Sequence, residues 1–249
     1  MRHGRLSGPA RPSIVRLENS DLPIERFGAL EELDVLHGFV RRIQGIALSN
    51  DKAAVLASLD EAHRQVRHRL ALAERALATV RQVHGSEVAV IDRPLKNDHC
   101  FDNCDGLITN QCAVCLGIYV ADCCAVYLVD RKRRAIGLLH SGKKGTALGI
   151  VGKAIELLKK KFGPDAADLV VQLSPCIRPP HYEIDFAAQI VEQCRDAGVS
   201  KVHDEGVCTA CHLERYYSYR AEKGRTGRML ALLALGRAAQ VAPGNGSRR

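Results

Sequence analysis

Between residues 51 and 79 the apolar positions Val55, Leu59, Ala62, Val66, Leu70, Ala73 and Leu77 recur at steps of four and three. That spacing keeps them on one helical face, so the pattern predicts a long amphipathic helix over 51–79, capped by Asn50 or Asp51. After residue 79 the texture changes to short apolar runs. Strands are predicted over 79–83, 87–91, 106–109, 114–120, 125–129, 135–139 and 168–173, and an earlier one over 34–40. The charged run Asp130-Arg131-Lys132-Arg133-Arg134 turns 125–139 into a hairpin. Further helices are predicted over 145–162, where Gly163-Pro164 stops the pattern, and over 184–197, ended by Gly198. The run 227–235 reads both ways: Leu and Ala favour helix, but the segment is short. Residues 1–20 read as a flexible basic arm and 239–249 as a disordered tail, leaving 21–238 as a single domain. No internal repeat is present. Mixed strands with segregated helices indicate an α+β or mixed α/β fold.

A hydrophobic fraction of 46% is enough for a full core, and the absence of Trp makes that core one of Leu, Val, Ile and Ala. No apolar run approaches the ~18 residues of a membrane span, and residues 1–16 are basic without an apolar signal segment. The expected location is the cytoplasm, where the ten cysteines serve as thiols, metal ligands or nucleophiles rather than disulfides. The formal charge of +8 favours an anionic partner, although solvated tails and helix faces account for much of it.

Three short segments carry the chemistry: Gln82-Val83-His84-Gly85, Ala121-Asp122-Cys123 and His140-Ser141-Gly142. Each is expected to end a strand with a side chain that binds a transition metal. Read singly, a histidine after a strand is a hydrogen-bonded structural residue, and Cys123 is a small buried hydrophobe. Read together, two imidazoles and a thiolate make a three-ligand zinc site whose fourth position stays open for water or substrate, the mark of a catalytic site. The pairs Cys112-x-x-Cys115 and Cys208-x-x-Cys211 stand too far apart in sequence for a structural zinc. The donors also suit copper, but the ten histidines include no His-x-His, which argues against an oxidase with several coppers.

In this order, the chain resembles the laccase-domain proteins of the YfiH/PgeF type, formerly called multicopper polyphenol oxidases. The matching segments are His37-Gly38-Phe39, Gln82-Val83-His84-Gly85, Asp105-Gly106-Leu107-Ile108-Thr109, Ala121-Asp122-Cys123, His140-Ser141-Gly142 with Gly145, Ser174-Pro175-Cys176-Ile177, Tyr182-Glu183-Ile184, Cys208-Thr209, and Tyr217-Ser218-Tyr219-Arg220 with Thr226-Gly227-Arg228. The resemblance implies a layered α/β/β/α domain with mixed sheets. It also implies a zinc-dependent purine nucleoside phosphorylase with adenosine deaminase activity, acting on adenosine, inosine, guanosine or methylthioadenosine. By the resemblance His84, Cys123 and His140 hold the metal. Such a site activates water for attack at C6 of adenosine, the carbon used by the zinc deaminases. Phosphorolysis needs phosphate held against C1′ of the ribose, and Arg42 and Lys144 are the cationic candidates for it. Asp122, beside a ligand, is expected to orient an imidazole or the active-site water. His37, Cys176, Tyr182 and Arg220 are expected around the substrate.

Three departures from the family pattern bear on the substrate pocket. Val40 and Arg41 replace small polar residues before Arg42, and the following Gly-rich loop shrinks to Gly45-Ile46-Ala47. The family's His-Ala-Gly-Trp-Arg-Gly reads His140-Ser141-Gly142-Lys143-Lys144-Gly145, which removes an aromatic wall and a guanidinium fork. An insertion after Tyr182-Glu183-Ile184 is missing. Two other readings stand beside the first. Cys123 and His140 could be the nucleophile and base of a hydrolase, with cell-wall precursors as substrate. Lys159-Lys160-Lys161 could mark a non-catalytic anion- or RNA-binding module, although aromatic platforms are few and no nucleic-acid motif is present.

Overall fold

The computed structural model describes residues 22–132 and 134–236, together with the backbone of Ile14–Arg16. In chain order the strands are β1 (Ile14–Arg16), β2 (Ile24–Phe27), β3 (Val35–Val40), β4 (Ala76–Val80), β5 (Val88–Ile91), β6 (His99–Phe101), β7 (Gly106–Thr109), β8 (Val114–Val120), β9 (Cys124–Asp130), β10 (Ile136–Ser141), β11 (Leu169–Leu173), β12 (Lys201–His203) and β13 (Met229–Leu235). The helices are α1 (Gly28–Glu31), α2 (Lys52–Arg69), α3 (Lys143–Ala147), α4 (Ile150–Phe162) and α5 (Phe186–Asp196). One sheet runs β1-β2-β3-β13-β8-β4-β6 and the other β12-β11-β9-β10-β7-β5. Both are mixed: β4 is parallel to β8 and β6, β5 to β7, and β11 to β12, while the other pairs are antiparallel. The fold is therefore α+β with two mixed sheets, as expected.

Alternation along the central strands assigns the layers. On β13, Met229, Ala231, Leu233 and Leu235 enter a cluster with Ala125, Tyr127 and Val129 of β9, which places that cluster between the sheets. The other face of β13, Leu230, Leu232 and Ala234, packs with Val66 and Leu70 at the end of α2. On β9, Val126 and Leu128 point the other way, into a cluster with Ile150, Ala154 and Leu158 of α4 and Ile190 of α5. Helices thus cover the outer faces of two stacked sheets. A strand buried on both faces needs no polar alternation, which is why Met-Leu-Ala-Leu-Leu-Ala-Leu did not declare itself as a strand.

The structure shortens the first predicted helix. Asp51 caps α2, its carboxylate accepting from the backbone N–H of Ala53 at 2.8 Å and Ala54 at 3.4 Å. The helix ends at Arg69, two residues before Ala71 turns left-handed with φ 55°. Arg67 then donates to the Arg75 carbonyl at 2.7 Å and meets Asp98 at 2.9 Å, and Asp98 accepts from Leu77 N–H at 2.7 Å. These bonds draw 76–80 into the sheet as β4, so Ala73 and Leu77 carried the helical spacing without the helix. The helix predicted over 145–162 is divided at Gly149, whose φ of 72° breaks it into α3 and α4. Short β2, β6 and β12 had no periodic signal. The expected tail lies outside the described residues, as does the expected arm apart from the strand Ile14–Arg16.

Leu232 is fully buried in the layer between β13 and α2. Leu232→Ala is expected to lower unfolding free energy by about 2–5 kcal/mol, measured as a lower urea midpoint with an unchanged slope.

Candidate metal centre and active site

Asp105 closes one end of β7 and organises the site. Its carboxylate accepts three consecutive backbone N–H groups, from Val83 at 3.2 Å, His84 at 3.0 Å and Gly85 at 2.7 Å. It also meets Nδ1 of His140 at 2.8 Å. The loop after β4 is thereby wrapped around one charge, with His84 held in the left-handed region at φ 58°. The sheet brings His140 to the same carboxylate, since β10 pairs with β7 and His140 N–H donates to the Asp105 carbonyl at 2.7 Å. Burial alone would raise the Asp105 pKa, but the His140 and backbone hydrogen bonds outweigh it and hold the carboxyl below its ordinary value.

Cys123 lies in the tight link between β8 and β9, just ahead of Cys124. The donor atoms of His84, Cys123 and His140 lie within 4.8 Å of one another, and the two imidazoles meet edge to face at 4.9 Å. His140 sits inside β10, Cys123 before β9 and His84 in the loop beyond β4, so only loosely do the three follow strand ends. Two glycines make the packing feasible. A Cβ at Gly142 would collide with the Cys123 sulfur, and one at Gly145 would press on the Gly85 carbonyl at 3.1 Å.

Burial opposes the Cys123 thiolate, yet the charge of His140 and hydrogen bonds from His140 and His84 bring its pKa down to about 6. Burial likewise opposes the His140 cation, but the Cys123 thiolate and Asp105 raise its pKa to about 9. The donor set fits a transition metal. Tetrahedral zinc, with bonds of about 2.0–2.3 Å, separates its ligands by about 3.3–3.7 Å, so small side-chain rotations would close the three donors on an ion. Asp105 occupies Nδ1 of His140 and leaves Nε2 as its ligand atom.

The three donors open on a cavity of about 610 Å³, also lined by Asp122, Tyr182 and Arg220, named from the sequence, and by Lys52, Gln82, Tyr119, Lys143, Phe186, Tyr219 and Arg228. Asp122 is engaged structurally: its carboxylate accepts from Thr209 Oγ1 at 2.9 Å and Arg220 N–H at 2.8 Å. The carboxylate that meets an imidazole is that of Asp105. Tyr182 carries the Arg220 guanidinium over its ring at 4.8 Å.

Four expected residues stand elsewhere. Arg42 is fastened to Glu222 at 2.7 Å and lies 4.5 Å over the Tyr217 ring, off the cavity lining. Lys144 is exposed on α3, while its neighbour Lys143 faces the cavity and meets Glu183 at 3.1 Å. His37 is a core residue, stacked on Phe27 and accepting Phe27 N–H at 2.9 Å; burial, then the Arg26 charge, lowers its pKa to about 3. Cys176 is buried in the layer under α4 and α5, and it is Ile177 that reaches the cavity. Lys159-Lys160-Lys161 form the last turn of α4, where positive charge complements the helix dipole, and do not line the cavity. Among the described residues no helix is long and apolar enough to cross a membrane. Sequence reasoning gave no role to Asp105, Gln82, Tyr219 or Arg228 although they stand in the quoted segments. Lys52, an ordinary helix residue after the cap, carried no signal.

The family described as multi-copper polyphenol oxidoreductase laccase matches residues 44–192 and 181–236. The chain is 26% identical over 250 residues to purine nucleoside phosphorylase YlmD of Geobacillus stearothermophilus, covering 83% of this chain and 90% of that one. It is 29% identical over 155 residues to purine nucleoside phosphorylase CA_C1699 of Clostridium acetobutylicum, covering 52% of this chain and 66% of that one. The crystal structure of YlmD from Geobacillus stearothermophilus superposes with a TM-score of 0.79 at 22% identity, covering 91% of this chain and all of that one. That likeness shows the shared fold.

Two outcomes are expected from the Asp105 clasp. Asp105→Asn replaces a charge and one acceptor with an amide donor facing N–H groups, so metal affinity should fall roughly 10–100-fold, read by competition with a chromogenic chelator. In chelator-stripped protein, Cys123 is protonated below pH about 6 and thiolate above it. Its alkylation by iodoacetamide, located by peptide mass mapping, should rise through pH 6 and level off by pH 8.

Proposed function

The chain belongs to the multi-copper polyphenol oxidoreductase laccase family, and from that premise we propose that it is a metal-dependent purine nucleoside phosphorylase with zinc at His84, Cys123 and His140. The observation that carries the reading is the convergence of those three donors on a cavity large enough for a nucleoside. The names of the similar proteins supply the reaction class. Adenosine deamination at the same site, and a cytoplasmic location, belong to the proposal. A bound zinc ion would supply Lewis acidity and lower the pKa of a water in its open position to about 7.

The chain's own residues have distinct tasks. Asp105 keeps His140 in the tautomer that presents Nε2, and it holds the backbone that presents His84. Tyr182, Phe186 and Tyr219 offer aromatic faces for a purine, taking over from the tryptophan that other family members carry where Lys143 stands here. Ile177 and these rings keep water from the glycosidic carbon. In phosphorolysis a phosphate oxygen forms the new bond to C1′. The bond from C1′ to the purine nitrogen breaks with its electron pair going to the base, and the proton of hydrogenphosphate ends on the base.

One observation favours a second reading. Cys123, His140 and Asp105 form a thiol–imidazole–carboxylate array, the constellation of a cysteine hydrolase. A chelator separates the two, because a hydrolase of this kind keeps its activity without metal.

Elemental analysis of the purified protein should find about one zinc per chain, as expected for a three-ligand site, and none in His84→Ala or Cys123→Ala. The zinc-loaded protein should release hypoxanthine from inosine only with phosphate present and stop when chelator is added. Turnover that persists in chelator would move the assignment to the hydrolase.

A further inference from the structure

Four lysine and arginine side chains line the cavity, and they fall into two pairs. Lys143 and Arg220 both meet Glu183, at 3.1 and 3.3 Å. Lys52, the first residue of α2, and Arg228, just before β13, make no ion pair with any carboxylate among the described residues. The acids that act on them from a distance are already engaged: Asp105 by the 83–85 loop and His140, Asp122 by Thr209 and the Arg220 N–H.

The structure also holds the pair in place. Lys52 Nζ donates to Gln82 Oε1 at 3.0 Å, and the Gln82 amide donates to the Tyr119 carbonyl at 2.6 Å, which turns the ammonium toward the cavity. Arg228 uses Nη1 on the carbonyls of Thr226 at 3.3 Å and Gly227 at 2.7 Å, while its Nε and Nη2 make no hydrogen bond among the described residues. Both side chains line the same cavity, and partial burial, then the charge of Arg228, lower the Lys52 pKa. Like charges kept together without a carboxylate are a site prepared for a multivalent anion.

We infer that Lys52 and Arg228 form the oxyanion subsite of the cavity, binding the inorganic phosphate that attacks the nucleoside. The guanidinium offers a planar fork and the ammonium a compact point charge, and together they match two faces of a tetrahedral dianion. Gln82 is a positioning residue that sets the Lys52 ammonium. The same chemistry would hold the phosphate of a nucleotide, so the source must be tested. The assignment as co-substrate rests on the phosphorylase reading; the anion subsite itself does not.

The test is a calorimetric titration of inorganic phosphate, and separately of inosine 5′-monophosphate, into the zinc-loaded full chain, alongside the KM for phosphate at saturating inosine. Lys52→Met and Arg228→Met should each weaken phosphate binding and raise its KM by roughly 10–100-fold, the scale of a charge-assisted hydrogen bond. The KM for inosine should stay within about twofold, a split that general damage to the fold would not produce. Arg228→Lys should fall between, keeping the charge and losing the fork. Lys144→Met should bind phosphate like wild type. Unchanged phosphate binding in both methionine variants would overturn the subsite. Binding of the monophosphate where inorganic phosphate does not bind would overturn the co-substrate. Phosphate binding that depends on both residues, in a protein with no phosphorolysis, would retire the phosphorylase and leave the subsite standing.

Discussion

One buried carboxylate sets the conditions for everything at the site. Asp105 has no solvent exposure, and an isolated charge there would be costly. Four donors offset that cost, three from the 83–85 backbone and one from His140. Two of the three metal donors are therefore placed by the same group. Their geometry depends on the register of β7 against β10, which pairs Gly106 with Leu139 and so sets Asp105 beside His140. A one-residue slip in that register would turn His140 to the opposite face of the sheet. The third donor, Cys123, is fitted by the absence of a side chain at Gly142. The convergence of the three donors is thus a property of sheet register and glycine placement as much as of the donor residues.

Much of the fold was legible because one-sided burial writes a period into the sequence. The strands over 106–109 and 114–120, the hairpin of β9 and β10, and the stop at Gly163 follow from local pattern. The losses came where local pattern and tertiary demand part. Ala73 and Leu77 continue a helical spacing, but Asp98 and Arg67 take the backbone into β4. β13 hides because both its faces are buried. At the site, the donors and Arg220 were legible from their segments, whereas Lys52, Lys143 and Arg228 were not. Arg42 and Lys144 have the right chemistry beside the right segments, yet Arg42 is spent on Glu222 and Lys144 stands one residue round α3 from the cavity. Lys52 reaches the cavity from an element whose sequence says only that it is the start of a helix.

Two of the three departures from the family pattern meet on one wall. Lys143 lines the cavity and is tied to Glu183, which also holds Arg220, and Arg220 rests on Tyr182. Lys143, Arg220 and Glu183 are all about half exposed, so these ion pairs contribute little to stability. This wall of the cavity is held by exposed ion pairs, whereas the His84, Cys123 and His140 side is held by the buried Asp105.

The position of β13 has a consequence for how the molecule is made. It lies between β3 and β8, pairing Leu230 with both Val40 and Tyr119. Until that late segment leaves the ribosome, one half of the seven-stranded sheet has no bonded neighbour on its inner edge, and both strand edges stay open to other chains. The six-stranded sheet, by contrast, gathers its strands from residues 88 to 203 and can pair before synthesis reaches β13. His140 on β10 and Cys123 beside β9 would then be positioned on a half-built protein, and the second sheet would close over them last.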